Sequence, residues 1–499
     1  MYTNIQTIYL IISKILVCVN IFSYLCICTL NIYEGVGGDL RIGRRIEDTV
    51  SLISNSGSAV INRLNASVST KRAVYRIINN RNWSMEEFCK AIYEDCGRNA
   101  AEVSHVLCVQ DTTEFNYGSH SGRIDSDDEH FGYGTRKEES NCLFAHPALV
   151  LDASNGLPLG LSSLKIWGRG NALPGQKIDR RKLALQEKES YRWAESAENT
   201  AKYIPSGVCK TMVGDRENDI YEVMWRTLES GCDFLIRSSS NRPTTSDGKR
   251  LSEIMEEEPL ACTYKLPLVG RQGRKNRIAI MELRFKEVTV IAPSRASPDS
   301  PRELKVWSIY TCERPDSVPK EEKPVEWRLL TSHEVIDVTQ ALACIEWYKM
   351  RWSVESLFRV VKSKGFAIEE SQVETGESMI KLIGMTFMAA INCMMLKTAL
   401  EKQTEHIPAQ NVFSDIQLIV MKAVLPSLEP KSERYTKGRN PYAPDTLLWA
   451  VWIVAKLGGW NGRMTINDRP SHLVLKRGWE RLQTMSWGAE LALENVYKD

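Results

Sequence analysis

The sequence predicts an α/β protein in which a β-rich insertion interrupts the sheet and helical regions lie at both ends. Three stretches carry that expectation. In HVLCVQDTTEFNY (105–117), Val106 to Val109 form the short unbroken apolar run of a strand buried on both faces, and Asp111 stands just past its end. In CLFAHPALVLDASNGLPLGLSSLKIWG (142–168), two strand-like runs flank an Asn-Gly pair, a hairpin signal. CKTMVGDRENDIYEVMWRTLESGCDFLIRSS (209–239) reads strand, Asp215, helix, strand. In α/β sheets, sites gather at the carboxyl ends of strands, and Asp111 and Asp215 both stand there.

The remaining elements follow in chain order. Residues 7–33 are a long apolar run with one charged residue, Lys14, by composition a candidate membrane span or signal anchor. Residues 35–98 read as a small helical domain with Arg41, Arg44, Arg45, Lys71, Arg72 and Arg76 on its surface, and Ser84 caps a helix that begins Met85-Glu86-Glu87. Residues 99–237 form the first part of the core, within which 175–203 is charged and helical. From 238 to 325 the pattern turns strand-like and turn-rich, with the basic turn GRQGRKNR at 270–277. EWRLLTS (326–332) returns to a core strand, and 375–402 is a strongly apolar helix that ends the second part of the core. From 403 the chain is helical, broken by the basic loop PKSERYTKGRN (430–440).

Composition excludes several classes. Charged content is 25% and net charge only +2, so any nucleic-acid contact must come from local clusters rather than a global basic field. Thirteen cysteines form no CxxC pair and seven histidines are scattered, so a zinc site is not indicated, and the cysteines read as reduced and mostly buried.

The chemistry concentrates in YKMRWSVESLFRVVK (348–362). Tyr348, Arg351, Glu355 and Lys362 fall within roughly 60° of arc if the stretch is one helix, with no Pro or Gly to interrupt it. Trp347, Val354 and Val361 mark the apolar side. Taken alone, such a stripe is a solvated face with an internal ion pair. Asp111 and Asp215 change its meaning, because carboxylates from separate elements can together hold hard divalent cations for phosphoryl transfer. Asp152 also ends a strand, but its place before the Asn-Gly turn assigns it to the turn. The DSDDEH run (125–130) lacks the spacing of a calcium loop and reads as solvated.

These residues resemble the insertion-sequence-four family of cut-and-paste DDE transposases. The Tyr-(two)-Arg-(three)-Glu-(six)-Lys signature of that family is matched at Tyr348, Arg351, Glu355 and Lys362. QDTT matches the block of the first catalytic aspartate, Asp111, and VGDRENDIY that of the second, Asp215. EWRLLTS and KLGGW also match, and the likeness runs in order from about 37 to 485.

The resemblance implies a ribonuclease-H-like mixed sheet interrupted by the β insertion, an N-terminal DNA-binding domain and a C-terminal dimerisation region. It implies catalysis at Asp111, Asp215 and Glu355 with two Mg²⁺ ions (or Mn²⁺ in their place), and DNA contacts at Arg41, Arg45, Arg76, Arg237, Trp327, Tyr348, Arg351 and Lys362, with Trp327 stacking on a flipped base. Ile42 and Ser239 depart from the family's basic positions. The implied partners are transposon ends, target DNA and a second copy of the chain, with no small-molecule substrate. The implied activity is nicking, a hairpin intermediate and strand transfer. A nuclease without strand transfer and an inactive DNA-binding descendant are the alternatives. A cytoplasmic, nucleoid-associated place follows, with residues 1–34 as an extra leader rather than an anchor, because a DNA-binding domain begins near Gly37.

Overall fold

The structure is a computed structural model. It describes residues 32–120, 122–125, 128–136, 141–170, 183–268, 276–320, 322–362, 365–402, 408–430, 438–462, 470 and 472–496. Most of the apolar leader, the basic turn at 270–277 and the basic loop at 430–440 therefore lie outside the described residues. The chain divides into two compact units, one of residues 92–358 and one made of the segments before 92 and after 358.

The first unit is α/β, built on a mixed, mostly antiparallel ten-stranded sheet. Its strands are β1 (His105–Gln110), β2 (Thr113–Asn116), β3 (Cys142–Asp152), β4 (Pro158–Trp167), β5 (Cys209–Gly214), β6 (Asp233–Arg237), β7 (Cys262–Leu268), β8 (Arg277–Ile291), β9 (Glu303–Glu313) and β10 (Glu326–Thr331). The order is β2-β3-β1-β5-β6-β10-β9-β8-β7, with β4 paired to β3. Only β1/β5 and β5/β6 are parallel. The central strands are buried along nearly their whole length, which is why they read as unbroken apolar runs. The β3/β4 hairpin turns at Asn155-Gly156, where Gly156 takes φ 76°. Asp152 serves that turn: its carboxylate accepts from Ser154 N at 2.8 Å and Asn155 Nδ2 at 2.6 Å.

The β-rich segment at 238–325 supplies β7, β8 and β9, which extend the central sheet through the β9/β10 pairing. It also carries a short helix, Leu251–Glu257, packed into an apolar cluster with Tyr221, Phe234, Ile236 and Val290. Phe234 and Ile236 point to that face of β6, so strand alternation turns Asp233 and Leu235 to the other. The expected helix across 175–203 is found only over Arg192–Tyr203, and 171–182 lie outside the described residues.

Between Tyr348 and Lys362 the structure departs from the single helix expected. A helix over Val338–Lys349 ends, the chain turns at Met350 and Arg351, and a second helix runs over Trp352–Val361. The turn is closed by three-residue bonds, Met350 N to Trp347 O at 3.0 Å, Arg351 N to Tyr348 O at 3.1 Å and Ser353 N to Met350 O at 2.9 Å. No Pro or Gly announces this break. It allows Tyr348 to be buried while Arg351 and Glu355 meet the acids of the sheet. Val354 and Val361 are fully buried as expected of the apolar side, but Trp347 is only half-buried and Tyr348 takes the inward place.

The second unit is helical. Its first segment carries Leu40–Ser56 and Val68–Ile78, and its second carries Gly376–Lys402, Asp415–Leu428, Leu447–Leu457 and His472–Val496. Gly376–Lys402 packs on both helices of the first segment and on Leu447–Leu457. The two helical ends of the chain thus share one core rather than forming separate domains, because Gly376–Lys402 is apolar on all sides and needs cover on all sides. Among the described residues, Gly376–Leu396 is the one helix long and apolar enough to cross a membrane, and 78% of its most apolar window is buried inside the unit.

Candidate functional site

Asp111 owes its position to an interruption in a strand. β1 and β2 pair with β3 in one continuous register, Gln110 opposite Ala148 and Thr113 opposite Ala145. Asp111 therefore lies across from Pro147, which has no N–H to give to the ladder. The chain opens there, and the Asp111 carboxylate turns back to accept from Thr112 N at 2.8 Å.

Asp215 holds the equivalent place on the next strand. β1 and β5 are parallel with Val109 opposite Val213, so Asp111 and Asp215 each stand two residues beyond that pair. Neighbouring strands are about 4.8 Å apart. Asp215 caps a short turn by accepting from Glu217 N at 2.8 Å.

Glu355 reaches the same region from the helix after the Met350 turn, through Arg351. The guanidinium of Arg351 bridges the two acids, with Nη1 3.3 Å from Asp111 Oδ2 and Nη2 2.7 Å from Glu355 Oε1. Asp111 feels all three neighbours. Its pKa is raised to about 6, first by burial and then by Asp215, with Glu355 adding to the rise and Arg351 opposing it. The carboxylates are held further apart than a closed metal cage. Among the described residues, one trio of His, Cys, Asp or Glu side chains brings its ligand atoms within 4.8 Å of one another, and it lies elsewhere.

Tyr348, Arg237 and Trp327 surround this centre. Tyr348 is 4% exposed; burial raises its pKa, against the pull of the Arg351 and Arg237 guanidiniums. Arg237, at the end of β6, donates Nη2 to Glu326 O at 2.8 Å, and burial lowers its pKa. Trp327 sets its ring edge-on to Tyr348 at 5.7 Å and packs its body against Leu266, Ala279 and Met281. Arg216, Arg237 and Arg328 share a cavity of about 360 Å³ with Ser238, Ser239 and Ser240. The shape of the serine segment is set by Asp219, whose fully buried carboxylate accepts from Ser239 N at 2.7 Å, Ser240 N at 2.8 Å and Arg242 Nε at 3.1 Å.

The other residues expected to touch DNA lie in the helical unit. Arg41 is exposed and wraps the capping Asp39, with Nη2 2.8 Å from Oδ2. Arg45 is exposed beside Asp48 at 3.4 Å, and Arg76 is exposed in the last turn of its helix. Lys362 follows the end of its helix and lies 3.8 Å from Glu369. Ile42, a departure from the family pattern, is an apolar core residue here at 7% exposure.

Two supporting residues had no sequence signal. Arg192 donates Nε to Thr112 Oγ1 at 2.8 Å and lies 3.2 Å from Glu217. Thr112 is in turn 2.9 Å from Nδ1 of the buried His146, whose Nε2 is 3.2 Å from Gln110 Oε1. Burial, then Arg192 and Lys165, hold the His146 pKa well below its usual value, so the ring is neutral. A neutral ring with Nε2–H donating to Gln110 and Nδ1 accepting from Thr112 completes a chain from Arg192 to the residues on either side of Asp111. Only the folded register joins these residues. No known protein-family model matches the chain.

Proposed function

We propose that this protein is a DDE transposase that cuts DNA at transposon ends and joins them to target DNA, on a ribonuclease-H-like core. The observation that carries the reading is that Asp111 and Asp215 end adjacent parallel strands and that Arg351 joins Glu355 to Asp111. The motif blocks that resemble the insertion-sequence-four family fall on those three residues.

The donor set suits Mg²⁺. All three side chains offer hard oxygens, and burial, then Asp215 and Glu355, already raise the Asp111 pKa, which a bound cation would offset. Arg351 lies between Asp111 and Glu355 and balances part of their charge. Asp111, Asp215 and Glu355 would hold the ions, and bound ions supply an activated water or 3′-hydroxyl and stabilise the leaving oxygen.

The rest belongs to the protein. Arg351 has a buried Nε without an acceptor, a donor that a phosphate oxygen satisfies. Arg237 and Tyr348 flank it and orient the same phosphate. Arg216 and Arg328 line the adjoining cavity together with Glu256 and Glu326, the latter 2.9 Å from Arg328. The Trp327 ring offers a face on which an extruded base stacks during hairpin formation. Arg41, Arg45, Arg76 and Lys362 serve DNA binding, the first three by their exposure in the helical unit. Pairing of two ends calls for a homodimer, and DNA as substrate puts the protein in the cytoplasm with the nucleoid.

The test incubates the full chain with Mg²⁺ and DNA carrying the ends that flank its own gene. Nicks, hairpins and joined products on a gel are the expected result. Nicked DNA without joined products would reassign the protein as a nuclease, and bound but uncut DNA as an inactive descendant.

A further inference from the structure

His105, Cys209 and His333 are far apart in the chain and meet at the amino ends of the parallel strands. His105 begins β1 and Cys209 begins β5, in direct register with each other. His333 stands two residues past β10, where the chain turns toward the helix over Val338–Lys349. One potential ligand atom from each lies within 4.8 Å of the other two. Asp233, the first residue of β6, adds a carboxylate whose Oδ2 is 3.8 Å from Cys209 Sγ and 4.0 Å from His333 Nδ1.

We propose that His105, Cys209 and His333, with Asp233 as a fourth donor, bind a borderline divalent transition-metal ion of the zinc class. Two imidazoles, a thiolate and an oxygen are the donors such ions take in tetrahedral sites. Ligand bonds of about 2.0–2.3 Å set tetrahedral ligand atoms about 3.5 Å apart, so atoms within 4.8 Å of one another close inward by no more than about 1.3 Å. Cys209 is exposed, which leaves the ion a way in.

A second observation points to a ligand. The fully buried hydroxyl of Thr211 lies 2.8 Å from His105 Nε2 and 2.6 Å from His333 Nε2, and it also reaches the Cys209 thiol. That oxygen can accept an N–H from both rings while donating its own proton to the sulfur. Both Nδ1 atoms then present lone pairs, with the rings oriented by the outer hydrogen bonds that metal-bound histidines use. Trp347 walls the cluster, its ring 4.6 Å from His105 and 5.2 Å from His333. Burial keeps both imidazoles neutral, the His105 pKa falling to about 4. On binding, Cys209 loses its thiol proton to solvent and forms the metal–sulfur bond. The ion then ties the starts of β1, β5 and β6 to the connection that leads toward Tyr348, Arg351 and Glu355.

The experiment strips the full chain with a chelator and titrates it with Co²⁺, then Zn²⁺. One equivalent of Co²⁺ is expected, with a thiolate-to-cobalt charge-transfer band that one equivalent of Zn²⁺ abolishes. Cys209→Ser removes the band, His333→Ala weakens Co²⁺ binding at least tenfold, and Cys262→Ser at another strand start leaves both unchanged. Absence of saturable uptake, or a band that survives Cys209→Ser, overturns the site. The readout involves neither DNA nor Mg²⁺, so it stands or falls apart from the transposase reading.

Discussion

The two ends of the same parallel strands carry opposite chemistry. At the carboxyl ends of β1 and β5 stand Asp111 and Asp215, with Glu355 joined to Asp111 through Arg351. At the amino ends stand His105 and Cys209, with His333 and Asp233 beside them. By strand alternation both groups lie on one face of the sheet, separated by about six residues of β1, or roughly 20 Å. The acid end gathers three carboxylates, with an arginine between Asp111 and Glu355. At the imidazole end two neutral rings are drawn together by one threonine hydroxyl, beside the Asp233 carboxylate. The difference teaches that clustered carboxylates need an opposite charge among them, here Arg351, whereas imidazoles gather on a single shared hydroxyl.

The most severe way to break the comparison acts on the acid end. Asp215→Asn is expected to lower Mg²⁺-dependent DNA cleavage by on the order of 10³-fold, while DNA binding in a gel-shift assay persists. Cleavage at an undiminished rate would remove Asp215 from the chemistry.

Arg351→Ala tests whether the arginine balances the acids. Without it, Asp111 and Glu355 face each other half-buried, and the unfolding free energy in chelator should fall by about 3 kcal/mol. Millimolar Mg²⁺ should restore part of that loss in denaturant titrations. An unchanged midpoint would mean that the bridge contributes nothing.

Asp111→Asn should move stability the other way. The folded pKa of about 6 lies above the ordinary aspartate value of 3.8, so the folded state holds its proton more tightly. The associated stability is full below about pH 4 and is lost as pH rises through 6. In chelator at pH 7 the Asn variant should therefore be more stable by about 2 kcal/mol, with the advantage vanishing near pH 4. Equal stability across that range would refute the raised Asp111 pKa.

Thr211→Val is the finest probe, directed at the imidazole end. Loss of the shared hydroxyl should cost about 1 kcal/mol in metal-free protein and weaken Zn²⁺ binding by roughly tenfold. Calorimetric titration reads the second effect directly, and an unaltered affinity would exclude Thr211 as the orienting group.

The two ends also differ in how far they could be read from the chain. Asp111 and Asp215 were visible because each ends an apolar run, and the Asn155-Gly156 turn was visible because few other pairs make it. The helix break at Met350 was not visible, since no Pro or Gly stands there and the burial of Tyr348 is a tertiary matter. A zinc site was not expected because 104 positions separate His105 from Cys209 and 124 separate Cys209 from His333. The dependence of Asp111 on Pro147, His146 and Arg192 was hidden for the same reason.

By itself the sequence determined the α/β pattern, the strands and turns around the acids, and the places of Asp111 and Asp215 at strand ends. These are local properties, set by side-chain periodicity and turn chemistry over a few residues. Tertiary structure alone decided that the inserted strands extend the central sheet, that the two helical ends share a core, and that a cysteine and two histidines meet. Such outcomes depend on strand register and on which apolar faces find each other, and both are settled across the whole folded chain.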